Sequence, residues 1–175
     1  MSSLEVSRRL TMSERIAVYP GSYDPLTNGH VDIIQRGLNI FDKIIVAALK
    51  NPTKTYLFSL EERMDMLRAT FKKNPNIEVD YFEGLLVDYL KKIRVNTVVR
   101  GLRAISDFEI EFQMALMNRS IKTEIETIFL VPSICYSFVS SRLVKEIYQL
   151  GGGVEKMVPD IVDKKLKEKF GKDKL

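Results

Sequence analysis

Five short apolar runs, each followed by a stretch with helical spacing, constrain this chain more than any other feature it carries. Residues 16–18, 43–49, 77–82, 97–100 and 127–131 are β-branched or alternating in the manner of strands. Between them lie patterns of helical period. Val31, Ile34, Leu38 and Phe41 form one; Met64, Leu67 and Phe71 form the next, opened by a Ser59–Glu62 capping box; Leu86, Leu90 and Ile93 form a third. A fourth helix is predicted over 108–118, with Phe108, Phe112, Ala115 and Leu116 facing the core, Met114 and Met117 packing, and Met117 placed to line a groove. Ser140-Ser141-Arg142 opens a fifth, carrying Leu143, Val144, Ile147 and Leu150 and closed by Gly151-Gly152-Gly153; a last helix follows Pro159. Strands alternating with helices predict an α/β architecture, a doubly wound five-stranded parallel sheet covered on both faces. Such sheets bind ligands beyond the carboxyl ends of their strands. The loops at 21–30, 51–54, 84–86, 100–103 and 132–142 all follow strands, so they are predicted to open on one edge.

At 175 residues the chain fits a single domain over 15–170, with 1–14 read as a disordered extension (or an upstream start) and 171–175 as a tail. No apolar run approaches the roughly 18–20 residues of a membrane span. The first fifteen residues carry Arg8, Arg9 and Arg15 but no apolar core, which argues against a secretory signal. Cys135 is the sole cysteine, excluding an internal disulfide and a cysteine-based zinc site, and a reducing cytoplasm is the expected location. The net charge of +4 gathers at Lys164, Lys165, Lys167, Lys169, Lys172 and Lys174, diluted by Asp163, Glu168 and Asp173. That is a solvated helix face, and neither a nucleic acid nor a membrane is expected as partner. His30 is the only histidine, so no histidine cluster can hold a metal.

The chemistry concentrates in Tyr19-Pro20-Gly21-Ser22-Tyr23-Asp24-Pro25-Leu26-Thr27-Asn28-Gly29-His30. An apolar run leads in and an amphipathic one leads out, so the stretch reads as strand, sharp turn and helix start. Gly21 and Gly29 leave places where backbone can approach a ligand. Gly29 and His30 fall at a helix N-terminus, where free N–H groups and the dipole attract phosphate and an imidazole N–H can donate to a developing anion. The same residues also fit a polar-capped helix with a solvent-facing histidine.

The other loops carry matching groups, each with a plainer alternative. Arg100-Gly101-Leu102-Arg103 sets two guanidinium groups around a glycine, suited to a polyanion or to surface ion pairs with Asp107, Glu109 or Glu111. Glu111 can orient Arg103, accept from a ligand, or face solvent. Lys54 is a loop lysine, either solvated or aimed at the shared edge. Ser140 and Ser141, after Ser137, offer hydroxyls and free N–H groups to a terminal phosphate, or simply cap a helix.

Taken in order, these stretches resemble one family, the phosphopantetheine adenylyltransferases of the T/H-x-G-H nucleotidyltransferase superfamily. The resemblance spans 15–159. It rests on the stretch ending in His30, on Asn51-Pro52-Thr53-Lys54 with Phe58-Ser59-Leu60-Glu61-Glu62-Arg63, on the block from Arg100 to Glu109, and on the block from Phe138 to Glu146. It implies a Rossmann-like nucleotidyltransferase fold and the reversible transfer of the adenylyl group of ATP to 4′-phosphopantetheine, giving dephospho-coenzyme A and pyrophosphate. It implies ATP contacts at Ser22, Tyr23, His30, Gly101, Leu102, Arg103, Glu111, Tyr136, Ser137, Phe138, Val139, Ser140, Ser141 and Arg142, and acceptor contacts at Ser22, Lys54, Leu86 and Arg100. His30, Lys54 and Arg103 are the expected catalytic residues. Magnesium is expected to arrive with ATP rather than on a protein metal site. A homohexamer and coenzyme A as a candidate feedback ligand complete what the resemblance implies. Ser22 stands where threonine is frequent, Arg142 where many relatives carry a small hydroxyl residue, and Tyr136 where some carry tryptophan. Sister enzymes with another phosphorylated acceptor, a regulator without turnover and an RNA-binding fragment are the competing readings. The Arg100 and Ser140 blocks count against the first, intact His30, Lys54 and Arg100 against the second, and the lack of interleaved basic and aromatic residues against the third.

Overall fold

The computed structural model describes residues 14–103 and 105–171. The expected extension before residue 14, Ala104 and the terminal Lys172, Asp173 and Lys174 lie outside the described residues. Strands β1 (Ile16–Gly21), β2 (Lys43–Lys50), β3 (Ile77–Glu83), β4 (Thr97–Gly101) and β5 (Glu126–Leu130) form one sheet in the order β3-β2-β1-β4-β5. Every neighbouring pair is parallel, as the alternation with helices requires. The helices are α1 (Asn28–Gly37), α2 (Leu60–Phe71), α3 (Leu86–Ile93), α4 (Ile105–Ile121), α5 (Ser141–Gln149) and α6 (Asp160–Phe170), with a 3₁₀ turn at Ile134–Tyr136.

Period-two alternation splits the core between the two faces of the sheet. Ala17, Tyr19, Ile44, Val46, Ala48 and Val99 face one way, onto Ile33 and Ile34 of α1, Met64 and Leu67 of α2, Val144 of α5 and Leu166 of α6. Val18, Ile45, Ala47 and Val98 face the other, onto Val87 and Leu90 of α3 and Ile125.

The order reverses at β1: β2 and β3 build outward on one side, β4 and β5 on the other. β1 stays in register with β2 from Ile16↔Lys43 to Gly21↔Ala48, but its pairing with β4 is confined to Val18↔Val98. Beyond Val18 the two central strands therefore part. Pro20 has no N–H to offer there, and its carbonyl accepts instead from Arg100 Nη1 at 2.5 Å. This opening at the carboxyl ends of β1 and β4 is the switch point where a doubly wound sheet takes its ligand.

Three expectations need correction. β1 runs past the apolar run at 16–18 to Gly21, the residue at which the predicted loop begins, because β2 continues alongside it. The buried face of α1 is Gly29, Ile33, Ile34 and Gly37; Leu38 is the C-cap and Phe41 lies beyond the helix, where it still reaches the core. α4 is longer than predicted, and its apolar residues do not bury: Phe108, Phe112 and Leu116 are 43%, 45% and 49% exposed. Its apolar side chains surround the helix, whereas β5 and α3 can cover only one side of it. Asn118 is buried instead.

Candidate active site

The capping of α1 decides the state of the histidine. Thr27 is the N-cap, and its Oγ1 accepts from the His30 backbone N–H at 3.4 Å. His30 occupies the position where a capping box ordinarily has Glu or Gln, and its Nδ1 accepts from the Thr27 backbone N–H at 3.1 Å. A ring nitrogen that accepts from a backbone N–H carries no proton, so in the neutral ring the proton sits on Nε2. Burial, together with the positive charges of Arg103 and Arg100, lowers the His30 pKa to about 3. At neutral pH His30 is thus an uncharged N–H donor of fixed tautomer. Tyr19 and Tyr23 pack around it, with ring centroids 6.2 and 5.2 Å from the imidazole. Burial pushes the Tyr19 phenol up to about 12, so it too stays neutral.

His30 lines a cleft of about 510 Å³ at the switch point, with Ser22, Tyr23, Lys54, Arg100, Gly101, Arg103, Glu111, Val139, Ser140, Ser141 and Arg142. The loops read as chemically loaded therefore do meet on one edge. Leu102, Tyr136, Ser137 and Phe138 lie outside this lining. Leu86 is in an adjoining cleft of about 360 Å³, more apolar, bounded by Leu85, Phe82, Ile110, Met114 and Met117. The two share Pro20, Gly21, Ser22, Arg100 and Glu111.

Five cations line the first cleft against three carboxylates, and each carboxylate is matched to one cation. Glu111 holds Arg100 by two parallel bonds, Nε–Oε2 at 2.6 Å and Nη2–Oε1 at 2.5 Å. Although burial opposes it, this pairing keeps the Arg100 guanidinium above its ordinary pKa. With Pro20 O also bonded, two of its five N–H donors remain for a ligand. Asp107, one turn after Arg103, takes that arginine at 3.0 Å, and Arg103 Nη1 donates to Val139 O. Glu111 therefore orients Arg100 and not Arg103, since the nearer Asp107 already holds the latter. Asp24 is 3% exposed, accepts from the Leu57 and Phe58 backbone N–H groups, and pairs with Lys145 of α5 at 2.8 Å. Among the described residues, Lys54 and Arg142 have no carboxylate at salt-bridge distance. Lys54 Nζ instead donates to Ser22 Oγ at 3.3 Å.

At the α5 start Ser140 Oγ caps the helix by accepting from Leu143 N–H, and Ser141 Oγ donates to Pro25 O at 2.7 Å. Ser141 has given its proton to Pro25 O, but Ser140 only accepts, so its O–H and the backbone N–H groups of that end are left to meet an anion. Two glycines keep the cleft open. A Cβ on Gly21 would lie 3.0 Å from the Tyr23 ring, and one on Gly101 2.9 Å from Ile33 Cγ1. Gly29 lies against the Tyr136 and Val139 carbonyls, so it serves close packing of α1 on that loop as well as the cleft.

Sequence reasoning gave no individual role to Thr27, Asp24 or Lys145, and offered Asp107 only as one of three candidate ion-pair partners for the two arginines. Lys145 follows Ser141 by four residues and so shares its helix face, a spacing that was available as a signal. Asp24 left no such trace, because its partners lie 33 to 121 residues away. No three His, Cys, Asp or Glu side chains among the described residues converge as a metal site.

A parallel sheet with a cationic cleft at its switch point, read by a helix N-terminal histidine, defines the nucleotidyltransferase class. The Cytidylyltransferase-like family model matches residues 18–147. A crystal structure from Vibrio parahaemolyticus, provisionally described as a nicotinate-nucleotide adenylyltransferase, shares the fold with a TM-score of 0.64 at 18% identity, over 87% of this chain and 98% of its own. The phosphopantetheine adenylyltransferase of Caldanaerobacter subterraneus subsp. tengcongensis is 56% identical over 158 residues, 90% of this chain and 99% of its own length. That of Dictyoglomus turgidum is 60% identical over 154 residues, 88% and 96% of the two chains. The chain belongs to the phosphopantetheine adenylyltransferase family.

Proposed function

We infer that this enzyme transfers the adenylyl group of ATP to 4′-phosphopantetheine, reversibly, giving dephospho-coenzyme A and pyrophosphate in coenzyme A synthesis. One observation carries the reading beyond family membership: the cationic cleft shares Ser22 and Arg100 with an adjoining apolar one. A polyphosphate suits the first, and a neutral, flexible pantetheine arm suits the second.

A phosphate oxygen of the acceptor attacks the α-phosphorus of ATP, and the bond from that phosphorus to the bridging oxygen of the β-phosphate breaks. The acceptor phosphate is already ionised at neutral pH, so no general base is needed; the site has to bring two anions together and stabilise the charge that moves onto pyrophosphate. Lys54 and the two remaining Arg100 donors position the acceptor phosphate, with Glu111 fixing Arg100. Ser22 and the His30 Nε2–H hold the α-phosphate. Arg103, Arg142 and the N-terminus of α5 receive the leaving pyrophosphate. Tyr23, Gly101, Leu102, and Tyr136 to Val139 flank the nucleotide, and Leu86 the acceptor arm. The carboxylates of the cleft are each engaged by a cation, so they do not make a resident metal site, and magnesium enters as part of the ATP substrate.

The exposed face of α4, with Phe108, Phe112, Leu116 and Ile121, supports assembly with further copies, and the family reading is a hexamer. Coenzyme A, which carries the same arm, is the expected feedback ligand. No helix among the described residues is long and apolar enough to cross a membrane; with one cysteine, a cytoplasmic location is the consistent reading.

The decisive assay is pyrophosphate release from ATP with four candidate acceptors. Release is expected with 4′-phosphopantetheine and not with unphosphorylated pantetheine. Release with nicotinamide mononucleotide or glycerol phosphate, and none with 4′-phosphopantetheine, overturns the reading.

A further inference from the structure

Arg63 lies outside both clefts, yet it is 2% exposed and among the largest wholly buried side chains of the described residues. Its Nη1 donates to Ser22 O at 2.6 Å and to Leu49 O at 3.0 Å. These carbonyls sit in the loop after β1 and at the end of β2, so one guanidinium ties together the two segments that carry Ser22 and Lys54. Its plane stacks on Tyr56, with Cζ 4.1 Å from the ring centroid. The same ring has Lys54 Nζ 5.6 Å from its centroid, and its hydroxyl, which accepts from the Asn51 N–H, donates to Leu49 O. Arg63 Nε has no partner, and among the described residues no carboxylate lies within salt-bridge distance of the group. A guanidinium does not discharge on burial, so this is a permanent positive charge behind a site built for anions. Ordinary stability does not call for such a group, since removing a charge from water costs energy that a well-packed apolar side chain avoids.

We propose that Arg63 is a positioning residue for the reaction: it clamps the Ser22 and Leu49 carbonyls and, through the Tyr56 ring, sets Lys54 against Ser22 to receive the acceptor phosphate. The inference rests on the reading given under Proposed function. Its consequence is selective. Arg63 acts on the acceptor half of the site chiefly through Lys54, since the Ser22 carbonyl it holds is backbone and the Ser22 hydroxyl serves both substrates. It makes no hydrogen bond to the Arg103 and α5 groups assigned to pyrophosphate.

The test compares the wild type with Arg63→Lys, Tyr56→Leu, Lys54→Ala and the Arg63→Lys/Lys54→Ala double variant. Thermal unfolding establishes that each is folded, steady-state kinetics are taken with each substrate varied, and calorimetry gives the affinity for 4′-phosphopantetheine and for ATP. Arg63→Lys keeps the charge but loses the fork and the stacking plane. Its kcat/KM for 4′-phosphopantetheine is expected to fall about 10- to 100-fold while KM for ATP stays within about threefold. Tyr56→Leu, at a half-buried position, is expected to move the same constant in the same direction by about 5- to 10-fold, and it decides the matter if Arg63→Lys does not fold. Because Arg63 works through Lys54, the double variant should be no more than about threefold worse than Lys54→Ala alone. Acceptor kinetics within threefold of wild type in the folded variants, equal losses toward both substrates, or losses that multiply in the double variant each overturn the proposal. A wild type that neither binds nor turns over 4′-phosphopantetheine overturns the functional reading instead.

Discussion

On the proposed mechanism, replacing His30 by alanine removes one donor from the chemistry, and with it the Nδ1 that caps Thr27 N–H. The Nε2–H is held in place by the Thr27 N–H on Nδ1 and by the Tyr19 and Tyr23 rings, so it pays no reorganisation when charge shifts at the α-phosphorus. A single preorganised donor of this kind is worth about 10²–10³ in turnover. His30→Ala should therefore lower kcat by that factor, while the ATP affinity, carried largely by cations, changes less than about fivefold. The pH dependence makes the test sharper. With a pKa of about 3 in the free enzyme, His30 stays neutral from pH 5 to 8, so it adds no limb to kcat/KM there, and any limb belongs to the substrates. The pH profiles of wild type and His30→Gln should then have the same shape and differ only in height. Stability supplies a second reading with a definite sign. Below the ordinary value of 6.5 the unfolded chain takes up a proton that the folded chain refuses until about pH 3. The folded state is thus at full strength above pH 6.5 and weakens on acidification toward 3, and His30→Gln should lose less over that window. A limb near pH 6–7 in wild-type kcat/KM for ATP that is missing from His30→Gln would refute the neutral donor.

Two further outcomes are expected. Ser59→Ala removes the Oγ that accepts from Glu62 N–H at 3.1 Å, and should cost about 1 kcal/mol, read as a fall of about 2–4 °C in thermal midpoint. Leu116→Glu on the exposed face of α4 should shift the scattering mass of the purified protein to a smaller species; a wild type already monomeric at micromolar concentration would count against assembly through this face.

Much of this molecule was legible in the sequence because the signals were local. Strand and helix periods gave the parallel sheet, and the Ser59–Glu62 pair gave the start of α2. The order of loops after strands gave the edge on which Ser22, His30, Lys54, Arg100 and Arg103 meet. What stayed hidden was set by tertiary proximity. Whether Glu111 would hold Arg100 or Arg103 depended on Asp107 reaching Arg103 first, a competition between two acidic residues four apart on one helix. The role of His30 in its own capping box was hidden by a rule that looks for Glu or Gln at that position. α4 misled for another reason. Phe108, Phe112, Ala115 and Leu116 read as core because they recur at helical spacing, and among the described residues no second layer covers them.

A charged histidine would have been the simpler way to bind a triphosphate, and the fold has gone to some length to prevent it. Burial and the positive charges of Arg103 and Arg100 disfavour a charged imidazole, and the backbone N–H of Thr27 occupies the nitrogen that a second proton would need. A full charge on His30 would attract every phosphate of ATP, in the ground state as much as in the transition state, and uniform binding of that kind does not speed the chemical step. The field of a neutral N–H falls off faster with distance than that of a charge. In the proposed mechanism it would therefore act mainly on the oxygens a hydrogen bond away, at the phosphorus being transferred. Long-range attraction is left to the cations around it, three of which are locked by carboxylates so that they are placed before substrate arrives. Carboxylates in a site for anions look counterproductive by charge alone. They make sense as the groups that fix where Arg100, Arg103 and Lys145 point, while Lys54 and Arg142 keep the cleft positive.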